Sequence, residues 1–384
     1  MRGFSGKSAL FSESKIREMT ILANKYNAIN LAQGFPEFAP PKTLTDDLKR
    51  IADTGPHQYA ENWGADNLRR AIAQRRSLDF GIPVKKEHIL ITCGSTEAVM
   101  CTFMAIFDPG DKVAVFSPYY SGYMANCIIA GVTPVFVNLY APDFEFRKDE
   151  LEDAFRQGAK AVILCNPSNP SGKVFTREEL AVIVSLAEQY DAYIITDEVY
   201  EYIVYAPFKH TYISSLAGAF PRTICCSSLS KTFSITGWRL GYITAPEETI
   251  EQIRKYHDSF TVCAPSPLQE AAVTALRFGD DYYKDLNQVY ENKRGIFLKL
   301  LDHAGIEHNT PQGTYYVLTD ISKYGFKSDS EFCRLLVEKY GISAVPGSCF
   351  FADRNQKYIR LHFAKNDETL LRVGEKLEQM NREL

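Results

Sequence analysis

Short apolar or β-branched runs alternate with amphipathic stretches through the middle of the chain, and this alternation restricts the possible folds more than any other feature. The runs are HILITC (88–93), KVAVFS (112–117), AVILCN (161–166), YIITDE (193–198) and TICCSS (223–228). Most are separated by charged or amphipathic stretches such as TREELAVIVSLAEQY (176–190). Continuous apolar strands that alternate with helices are typical of a mostly parallel sheet covered on both faces. The pattern therefore predicts an α/β fold.

The last part of the chain has a different pattern. A long helical stretch (282–305) is followed by strand-like GTYYVLTD (313–320), a helical stretch (330–341), strand-like KYIRLHFA (357–364) and a charged helix. A chain of 384 residues is long enough for roughly two domains of about 150 residues each. We predict a large domain of residues 46–285 and a smaller α+β domain formed by residues 1–45 and 286–384.

Charge and cysteine usage argue against several classes of protein. The formal net charge is −4 and both signs are mixed along the chain, so no basic surface for nucleic acid or for a membrane is expected. The nine cysteines show no C-x-x-C spacing and no Cys/His cluster, which argues against a metal site or a disulfide framework. The N-terminus lacks the apolar segment of a signal peptide, and no apolar run approaches about 18 residues. We therefore predict a cytoplasmic protein.

Polar residues follow each of the central strand-like runs. In open α/β sheets, ligands bind beyond the carboxyl ends of the strands, where such loops converge. The loops contain Gly94-Ser95-Thr96, then Tyr120 and Tyr123, then NPSNPSG (166–172), then Asp197 and Tyr200, and finally Ser228 to Lys231. The pattern predicts one binding site at this edge of the sheet.

Each loop also has a purely structural interpretation. A Gly-Ser-Thr sequence before a helix can be a helix cap, although it can equally hold an anion on free backbone N–H groups. NPSNPSG alone can be a turn, a strand-end carboxylate can cap a helix, and single tyrosines are commonly half-buried. Lys231 could be a surface lysine with a buried stem, but hydroxyl residues flank it at a strand end. Arg239 follows eight residues later, with Gly237 and Gly241 permitting close backbone approach, and two cations in one cleft predict an anion.

Together these residues resemble a known family. The pattern S-L-S-K-x-x-S-x-x-G-x-R-L-G (228–241) is similar to the lysine signature of class I/II pyridoxal-phosphate-dependent aminotransferases of fold type I. Further segments match in chain order: INLAQGFPEF (29–38), HQYAENWGADNLRRAIA (57–73), ITCGSTEAV (91–99), NPSNPSG, TDEVY (196–200) and YIRLHFAK (358–365). QGFPEFAPP (33–41), GTYYVLTDIS (313–322) and AVPGSCF (344–350) most resemble the methionine aminotransferase and kynurenine–glutamine aminotransferase branch. The resemblance implies a large domain with a mostly parallel seven-stranded sheet and a homodimer.

The resemblance also implies catalytic roles. Lys231 would hold pyridoxal 5′-phosphate as an aldimine and would move a proton between the substrate and the cofactor. Both tasks need an amine of lowered pKa, which burial beside Arg239 would supply. Asp197 would keep the pyridine nitrogen protonated. Tyr200, helped by Asn169, would bond the O3′ oxygen of the cofactor.

The remaining implied roles concern the cofactor phosphate and the substrate. Gly94, Ser95 and Thr96, with Ser228 and Arg239, would hold the phosphate. Tyr120 would stack on the pyridine ring, and Tyr59 would reach the phosphate of a neighbouring subunit. Arg360, assisted by Gly34 and Asn169, would bind the α-carboxylate of the substrate with its planar fork.

The implied reaction moves an amino group from an L-amino acid to a 2-oxo acid. Phe35, Trp63 and Tyr123 near the expected pocket favour a methionine, glutamine or aromatic donor, and no clear second arginine is present for a side-chain carboxylate. A cysteine-conjugate C–S β-lyase would use the same residues and stays open as an alternative. A nicotinamide dehydrogenase would need a G-x-G-x-x-G motif that the sequence lacks, and a regulator would need an added DNA-binding module.

Overall fold

The computed structural model describes residues 3–11 and 13–384. Within them lie the α-helices α1 (Lys15–Lys25), α2 (Lys42–Thr54), α3 (Asp66–Phe80), α4 (Ser95–Ile106), α5 (Gly122–Ala130), α6 (Lys148–Arg156), α7 (Arg177–Gln189), α8 (Glu247–Thr261), α9 (Ser266–Ala275), α10 (Asp280–His303), α11 (Asp329–Tyr340) and α12 (Asp367–Glu383). The strands are β1 (Ile29–Asn30), β2 (Ile89–Thr92), β3 (Lys112–Ser117), β4 (Thr133–Tyr140), β5 (Glu145–Phe146), β6 (Ala159–Cys165), β7 (Tyr193–Asp197), β8 (Thr223–Ser228), β9 (Gly241–Thr244), β10 (Tyr316–Asp320), β11 (Ile342–Ser343), β12 (Val345–Pro346) and β13 (Tyr358–His362). Short 3₁₀ helices lie at Gly6–Leu10, Lys86–His88, Ile213–Ser215, Phe220–Arg222, Thr236–Trp238, Ser322–Tyr324 and Gly347–Cys349.

The main sheet has the strand order β2-β9-β8-β7-β6-β3-β4-β5. Strands β8, β7, β6, β3 and β4 are parallel, whereas β9 is antiparallel to both of its neighbours, so β2 runs in the same direction as β8. All five strand-like runs of the sequence form strands of this sheet, which confirms the α/β prediction. The sheet has eight strands where seven were expected, because the two-residue strand β5 pairs with the edge of β4.

Both faces of the main sheet are covered by helices. Successive side chains of a strand point to opposite faces. Val113 and Val115 of β3 accordingly lie in one apolar core, which also contains residues of α4, α5 and α8. Ala114 and Phe116 lie in the opposite core, with residues of α6 and α7. This burial on both faces explains why the strands are continuous apolar runs.

The C-terminal part forms a second, smaller sheet with the order β10-β13-β12, in which all neighbours are antiparallel. Its apolar core includes residues of α10, α11 and α12. The N-terminal segment joins this part, because β1 pairs in parallel with β11 and the Ser343 hydroxyl donates to the Met19 carbonyl at 3.0 Å. The division at residues 45/46 and 285/286 stays a prediction, and α10 runs across the second of these positions.

Three further findings concern the described residues only. None of the helices there is long and apolar enough to span a membrane. No group of three or more His, Cys, Asp or Glu side chains in that part of the chain is arranged to hold a metal ion. All nine cysteines are free thiols.

Candidate active site

A cavity of about 990 Å³ lies at the carboxyl edge of the main sheet, where the loops after β2, β3, β6, β7 and β8 converge. Its lining contains all of the predicted site residues except Gly94 and Tyr59: Gly34, Ser95, Thr96, Tyr120, Asn169, Asp197, Tyr200, Ser228, Lys231, Arg239 and Arg360. Residues far apart in the sequence therefore meet at one place, as expected for the switch region of an open α/β sheet.

Lys231 lies three residues beyond the end of β8. Its Nζ atom donates a hydrogen bond of 3.0 Å to the carbonyl oxygen of Gly34, which belongs to the N-terminal segment. Burial, reinforced by the positive charges of Arg239 and Arg360, lowers the pKa of Lys231 to about 8. The amine is thus partly neutral near pH 7 to 8 and can act as a nucleophile or as a base.

Asp197 is the last residue of β7, and its side chain is buried at the wall of the cavity. The hydroxyl of Tyr123 donates to Oδ2 at 2.9 Å, whereas Oδ1 is buried without a hydrogen-bond partner. Burial raises the pKa of Asp197 to about 6. A buried acceptor without a donor carries a free-energy cost, so Oδ1 is suited to receive an N–H group from a bound molecule.

The loop before α4 forms a cradle with Arg239. Helix α4 begins at Ser95, so the first N–H groups of this helix have no intrahelical partner. Gly94 has a φ of 85°, and a Cβ atom at this position would lie 2.3 Å from Nη2 of Arg239. A Cβ atom on Gly241 would lie 2.5 Å from the backbone nitrogen of Ser95. The close approach predicted at Gly237 is wrong, because an added Cβ there meets nothing within 4 Å.

The cradle combines a guanidinium with helical N–H groups, which together favour a phosphate or another anion. Arg239 is held by donation from Nη1 to the Thr236 carbonyl at 3.0 Å and from Nη2 to the Cys93 carbonyl at 3.3 Å. Ser228 donates to the Leu240 carbonyl at 2.8 Å. The N-terminus of α4 and Arg239 therefore supply hydrogen-bond donors for an anion.

Arg360 lies in the middle of β13 and only 1% of its surface is exposed. Its Nη1 donates to Oδ1 of Asn169 at 2.6 Å and its Nη2 donates to the Ala32 carbonyl at 2.8 Å. The ring of Tyr316 lies 4.1 Å from the guanidinium carbon. These contacts fix the plane of the guanidinium, while each terminal nitrogen keeps a second N–H for a carboxylate.

Tyr316 is a site residue that sequence reasoning missed. The hydroxyl of Tyr200 donates to that of Tyr316 at 3.1 Å, so the two side chains form one pair at the cavity wall. Gly34 packs against this pair, because a Cβ atom at Gly34 would lie 2.0 Å from the Tyr316 hydroxyl. The GTYYVLTD segment carried the resemblance to the family, but nothing in it indicated this contact.

Glu97 is a second missed residue, in the first turn of α4 beside the anion cradle. Its Oε2 accepts the backbone N–H of Cys93 at 2.5 Å, and its Oε1 accepts the hydroxyl of Thr261 and contacts Nδ1 of His257 at 3.1 Å. These hydrogen bonds lower the pKa of Glu97, although burial opposes them. An acidic residue in the first turn was visible in the sequence, whereas the partners on α8 were not.

Two of the aromatic side chains expected at the substrate pocket are elsewhere. Trp63 does not line the cavity, and its ring instead stacks with the guanidinium groups of Arg69 and Arg254 at 4.9 and 4.8 Å. Tyr123 is buried behind Asp197, whereas Phe35 lines the cavity as expected.

Tyr59 and Arg17 differ in their position relative to the cavity. Tyr59 is 83% exposed and lies outside the lining, so its predicted contact with a neighbouring subunit stays a prediction. Arg17 of α1 lines the cavity, so the wall holds an additional arginine that sequence reasoning did not find.

Comparison with known proteins identifies relatives along nearly the whole chain. A family model described as aminotransferase class I and II matches residues 26–377. A methionine aminotransferase of Escherichia coli is 34% identical over 94% of this chain and 95% of its own length. A kynurenine–oxoglutarate transaminase of Dictyostelium discoideum is 32% identical over 98% of this chain and 96% of its own length.

Solved structures show the same architecture. An Escherichia coli protein whose crystal structure and reactivity identify a methionine aminotransferase function superimposes with a TM-score of 0.94 at 33% identity, over 99% of this chain and 100% of the other. The N-succinyldiaminopimelate aminotransferase of Mycobacterium tuberculosis superimposes with a TM-score of 0.95 at 31% identity, over 98% of this chain and 100% of the other.

Proposed function

The chain belongs to the class I and II aminotransferases, and on that basis we propose that it uses pyridoxal 5′-phosphate to move an amino group from an L-amino acid of methionine, glutamine or aromatic type to a 2-oxo acid. The family match and the structural neighbours confirm the resemblance, the fold type and the transferase activity predicted from the sequence. The observation that carries the cofactor proposal is the unpartnered Oδ1 of Asp197, which lines the same cavity as the Lys231 amine and the Arg239 cradle.

The site fits the cofactor in three respects. Oδ1 of Asp197 can accept a hydrogen bond from a ring N–H, and the Lys231 amine can react with an aldehyde. The N-terminus of α4, together with Arg239, provides hydrogen-bond donors for a phosphate. When bound, pyridoxal phosphate supplies an aldehyde that takes up the amino group and a cationic ring that withdraws electrons from the substrate Cα.

We assign the proton transfers to Lys231. Its pKa of about 8 leaves a useful neutral fraction at neutral pH, so the amine can hold the cofactor aldehyde at rest. When released from the cofactor, the same amine would take the proton from the substrate Cα and deliver it to the C4′ carbon of the cofactor. In the structure the free amine is held at the cavity wall by its hydrogen bond of 3.0 Å to the Gly34 carbonyl.

The remaining cofactor contacts follow from which hydrogen-bonding atoms are free. Oδ1 of Asn169 accepts from Arg360, which leaves the Nδ2 amide as a donor for the O3′ oxygen. The Tyr200 hydroxyl, which donates to Tyr316 in the structure, would turn its proton to the same oxygen. Tyr120 lines the cavity and would cover one face of the ring. The backbone N–H groups of Ser95 and Thr96, with Arg239, would hold the phosphate.

The proposed substrate contacts combine one buried cation with an apolar wall. Arg360 would take the α-carboxylate through its two free N–H groups. Apolar side chains line the rest of the cavity, including Phe35, Met100, Ile129 and Phe260. This wall supports a donor with an apolar or aromatic side chain, in agreement with the relatives named as methionine and kynurenine transaminases.

The assembly is proposed on the same basis. The chain would act as a homodimer in the cytoplasm, with Tyr59 reaching the phosphate of the neighbouring subunit, and with small molecules rather than nucleic acid or a membrane as its partners. Residues 46–285 would form the cofactor-binding domain, and residues 1–45 and 286–384 the small domain.

Products distinguish the proposed reaction from elimination. The enzyme is incubated with L-methionine and 2-oxoglutarate, and separately with a cysteine conjugate. Amino transfer gives a 2-oxo acid and glutamate, whereas a β-lyase gives pyruvate and ammonia. The names of the relatives favour transfer, so we expect glutamate as the main product, and pyruvate with ammonia alone would contradict the proposal.

A further inference from the structure

Arg76 of α3 and Glu201 form a buried ion pair outside the lining of the cavity. The two residues are 1% and 4% exposed, respectively. Nη1 of Arg76 donates to Oε2 of Glu201 at 2.5 Å, and Nη2 donates to Oε1 at 2.6 Å. Removing opposite charges from water is costly unless they are paired with good geometry, and a two-point contact of this kind fixes the orientation of both side chains.

Both partners of the pair are charged in the folded protein. Burial alone would raise the pKa of Glu201, but the charge of Arg76 and the hydrogen bonds to the carboxylate hold this pKa below its ordinary value. Nη1 of Arg76 also donates to Asp79 at 3.1 Å, and Asp79 lies 3.1 Å from Arg75. The cluster therefore contains two cations and two carboxylates, and its formal charges balance without any group from the cavity.

Glu201 lies in the loop after β7 that carries two of the proposed site residues. It follows Tyr200 directly and is four positions after Asp197. The loop turns tightly at this point. The Glu201 N–H donates to the Glu198 carbonyl at 3.0 Å, and the Ile203 N–H donates to the Tyr200 carbonyl at 2.8 Å. A fixed Glu201 carboxylate therefore restricts the backbone that carries Asp197 and Tyr200.

The same carboxylate also contacts the end of β8. The Ser227 hydroxyl donates to Oε1 of Glu201 at 2.7 Å, and Ser227 is completely buried. Ser227 directly precedes Ser228 and is four positions before Lys231. One oxygen atom of Glu201 thus joins the loop that carries Asp197 to the strand end that carries the Lys231 amine. Arg76 holds that oxygen from α3.

We propose that Arg76 and Glu201 are positioning residues, which set the distance between the Asp197 carboxylate and the Lys231 amine through the hydrogen bond to Ser227. This inference rests on the proposed function, because both groups would have to contact one cofactor at the same time. A displacement of about 1 Å at a reacting group can reduce a rate by about 100-fold. The pair would therefore affect the rate of the reaction, whereas substrate affinity would depend on Arg360, which lies on β13.

The test removes the Ser227 hydroxyl and leaves the ion pair in place. With L-methionine and 2-oxoglutarate, we expect Ser227→Ala holoenzyme to have a kcat roughly 10-fold below that of the wild type, with KM values within about twofold. Thr223→Val is the matched control. It removes another completely buried hydroxyl, which donates to the Ala219 carbonyl at 2.9 Å at the opposite end of β8. This control should lose comparable thermal stability but keep the kcat of the wild type.

The pH titration of the visible absorbance of bound cofactor gives a second readout, which does not depend on turnover. A hydrogen bond from Tyr200 to the O3′ oxygen would favour the deprotonated form of the cofactor, and a displaced loop would weaken this bond. We expect the midpoint of the titration to rise by roughly half a pH unit or more in Ser227→Ala and to stay unchanged in Thr223→Val. A lower kcat with an unchanged midpoint would overturn the positioning role.

A double variant tests whether Ser227 acts through the ion pair. Arg76→Met combined with Glu201→Leu removes both charges together, so neither is left buried alone, and Asp79 keeps its contact with Arg75. This variant should fold and should have a kcat at least about 10-fold below that of the wild type. Addition of Ser227→Ala should lower kcat by less than about a further twofold, because residues that act as one unit are not additive.

The results that would overturn the inference are specific. They are equal kcat values for Ser227→Ala and Thr223→Val, a wild-type kcat in the double variant, or a further fall of about 10-fold in the triple variant. A wild-type enzyme that transaminates no acceptor would instead refute the proposed function.

Discussion

The hydroxyl of Tyr123 donates a hydrogen bond of 2.9 Å to Oδ2 of Asp197, and the other carboxylate oxygen, Oδ1, has no partner although it is buried. One oxygen thus fixes the orientation of the carboxylate, and the other is left for a ligand. Burial raises the pKa of Asp197 to about 6, so the charged form is costly until a cation pairs with it. This arrangement supports the proposed pairing of Asp197 with a protonated ring nitrogen.

Asp197→Asn should preserve the stability of the cofactor-free protein but reduce its turnover. The folded-state pKa of Asp197 lies above its ordinary value, so the folded protein without cofactor loses stability as the pH rises from about 4 to about 6. The amide removes this loss, which is roughly 3 kcal/mol at most. At pH 7 the cofactor-free variant should therefore be at least as stable as the wild type by thermal unfolding. Its turnover should nevertheless fall by 100-fold or more, because an amide cannot hold the ring cation.

The uptake of cofactor by the cofactor-free protein should depend on pH through Lys231. Only the neutral amine attacks an aldehyde, and the pKa of Lys231 is lowered to about 8. The rate of uptake, followed by absorbance in a stopped-flow instrument, should rise between pH 6.5 and about 8 and level off above it. A rate that keeps rising to pH 10 would mean that burial and the neighbouring arginines do not lower this pKa.

Arg360→Lys should weaken substrate binding and leave the cofactor in place. Lysine keeps the charge but loses the planar fork, so KM for the amino donor should rise by roughly 10-fold to 100-fold. The visible spectrum of the bound cofactor should not change, because the proposed contact of Arg360 is with the substrate and not with the cofactor. Loss of cofactor from this variant would contradict the proposed role. Arg354→Lys, at an exposed position preceding β13, provides the control.

Glu97→Ala should weaken cofactor binding through the shape of the phosphate cradle. Glu97 holds the Cys93 N–H and the hydroxyl of Thr261, so its removal frees the loop before α4. We expect the dissociation constant for the cofactor to rise by about tenfold, with KM for the amino donor unchanged at saturating cofactor. Glu178→Ala removes a comparable first-turn acid from α7, away from the cavity, and should have no effect. Unchanged cofactor affinity in Glu97→Ala would mean that the loop before α4 keeps its conformation without the hydrogen bonds of Glu97.

The sequence predicted the local parts of this site well. The five strands that appear as apolar runs, β2, β3, β6, β7 and β8, are buried on both faces, and the residues after each run lie at one edge. Most of the predicted contact residues line one cavity for this reason. Their individual roles stay predictions until ligands are bound.

The missed features depend on contacts between distant segments. Glu97 and His257 are 160 residues apart, and Tyr200 and Tyr316 are 116 residues apart, so no local pattern links them. Arg17 resembles any exposed helical arginine until the fold places α1 beside the cavity. Trp63 was expected at the pocket, but two arginines hold its ring elsewhere. Strand β5 has only two residues and shows no periodicity that could be recognised.

The most direct test of the account is to find which residue holds the cofactor. The holoenzyme is treated with sodium borohydride, digested and analysed by mass spectrometry, with Lys231→Ala treated in parallel. We predict one modified peptide that carries the reduced pyridoxyl phosphate group on Lys231, and no modification in the variant. A pyridoxyl group on another lysine, or a reconstituted protein with no cofactor at all, would contradict the account.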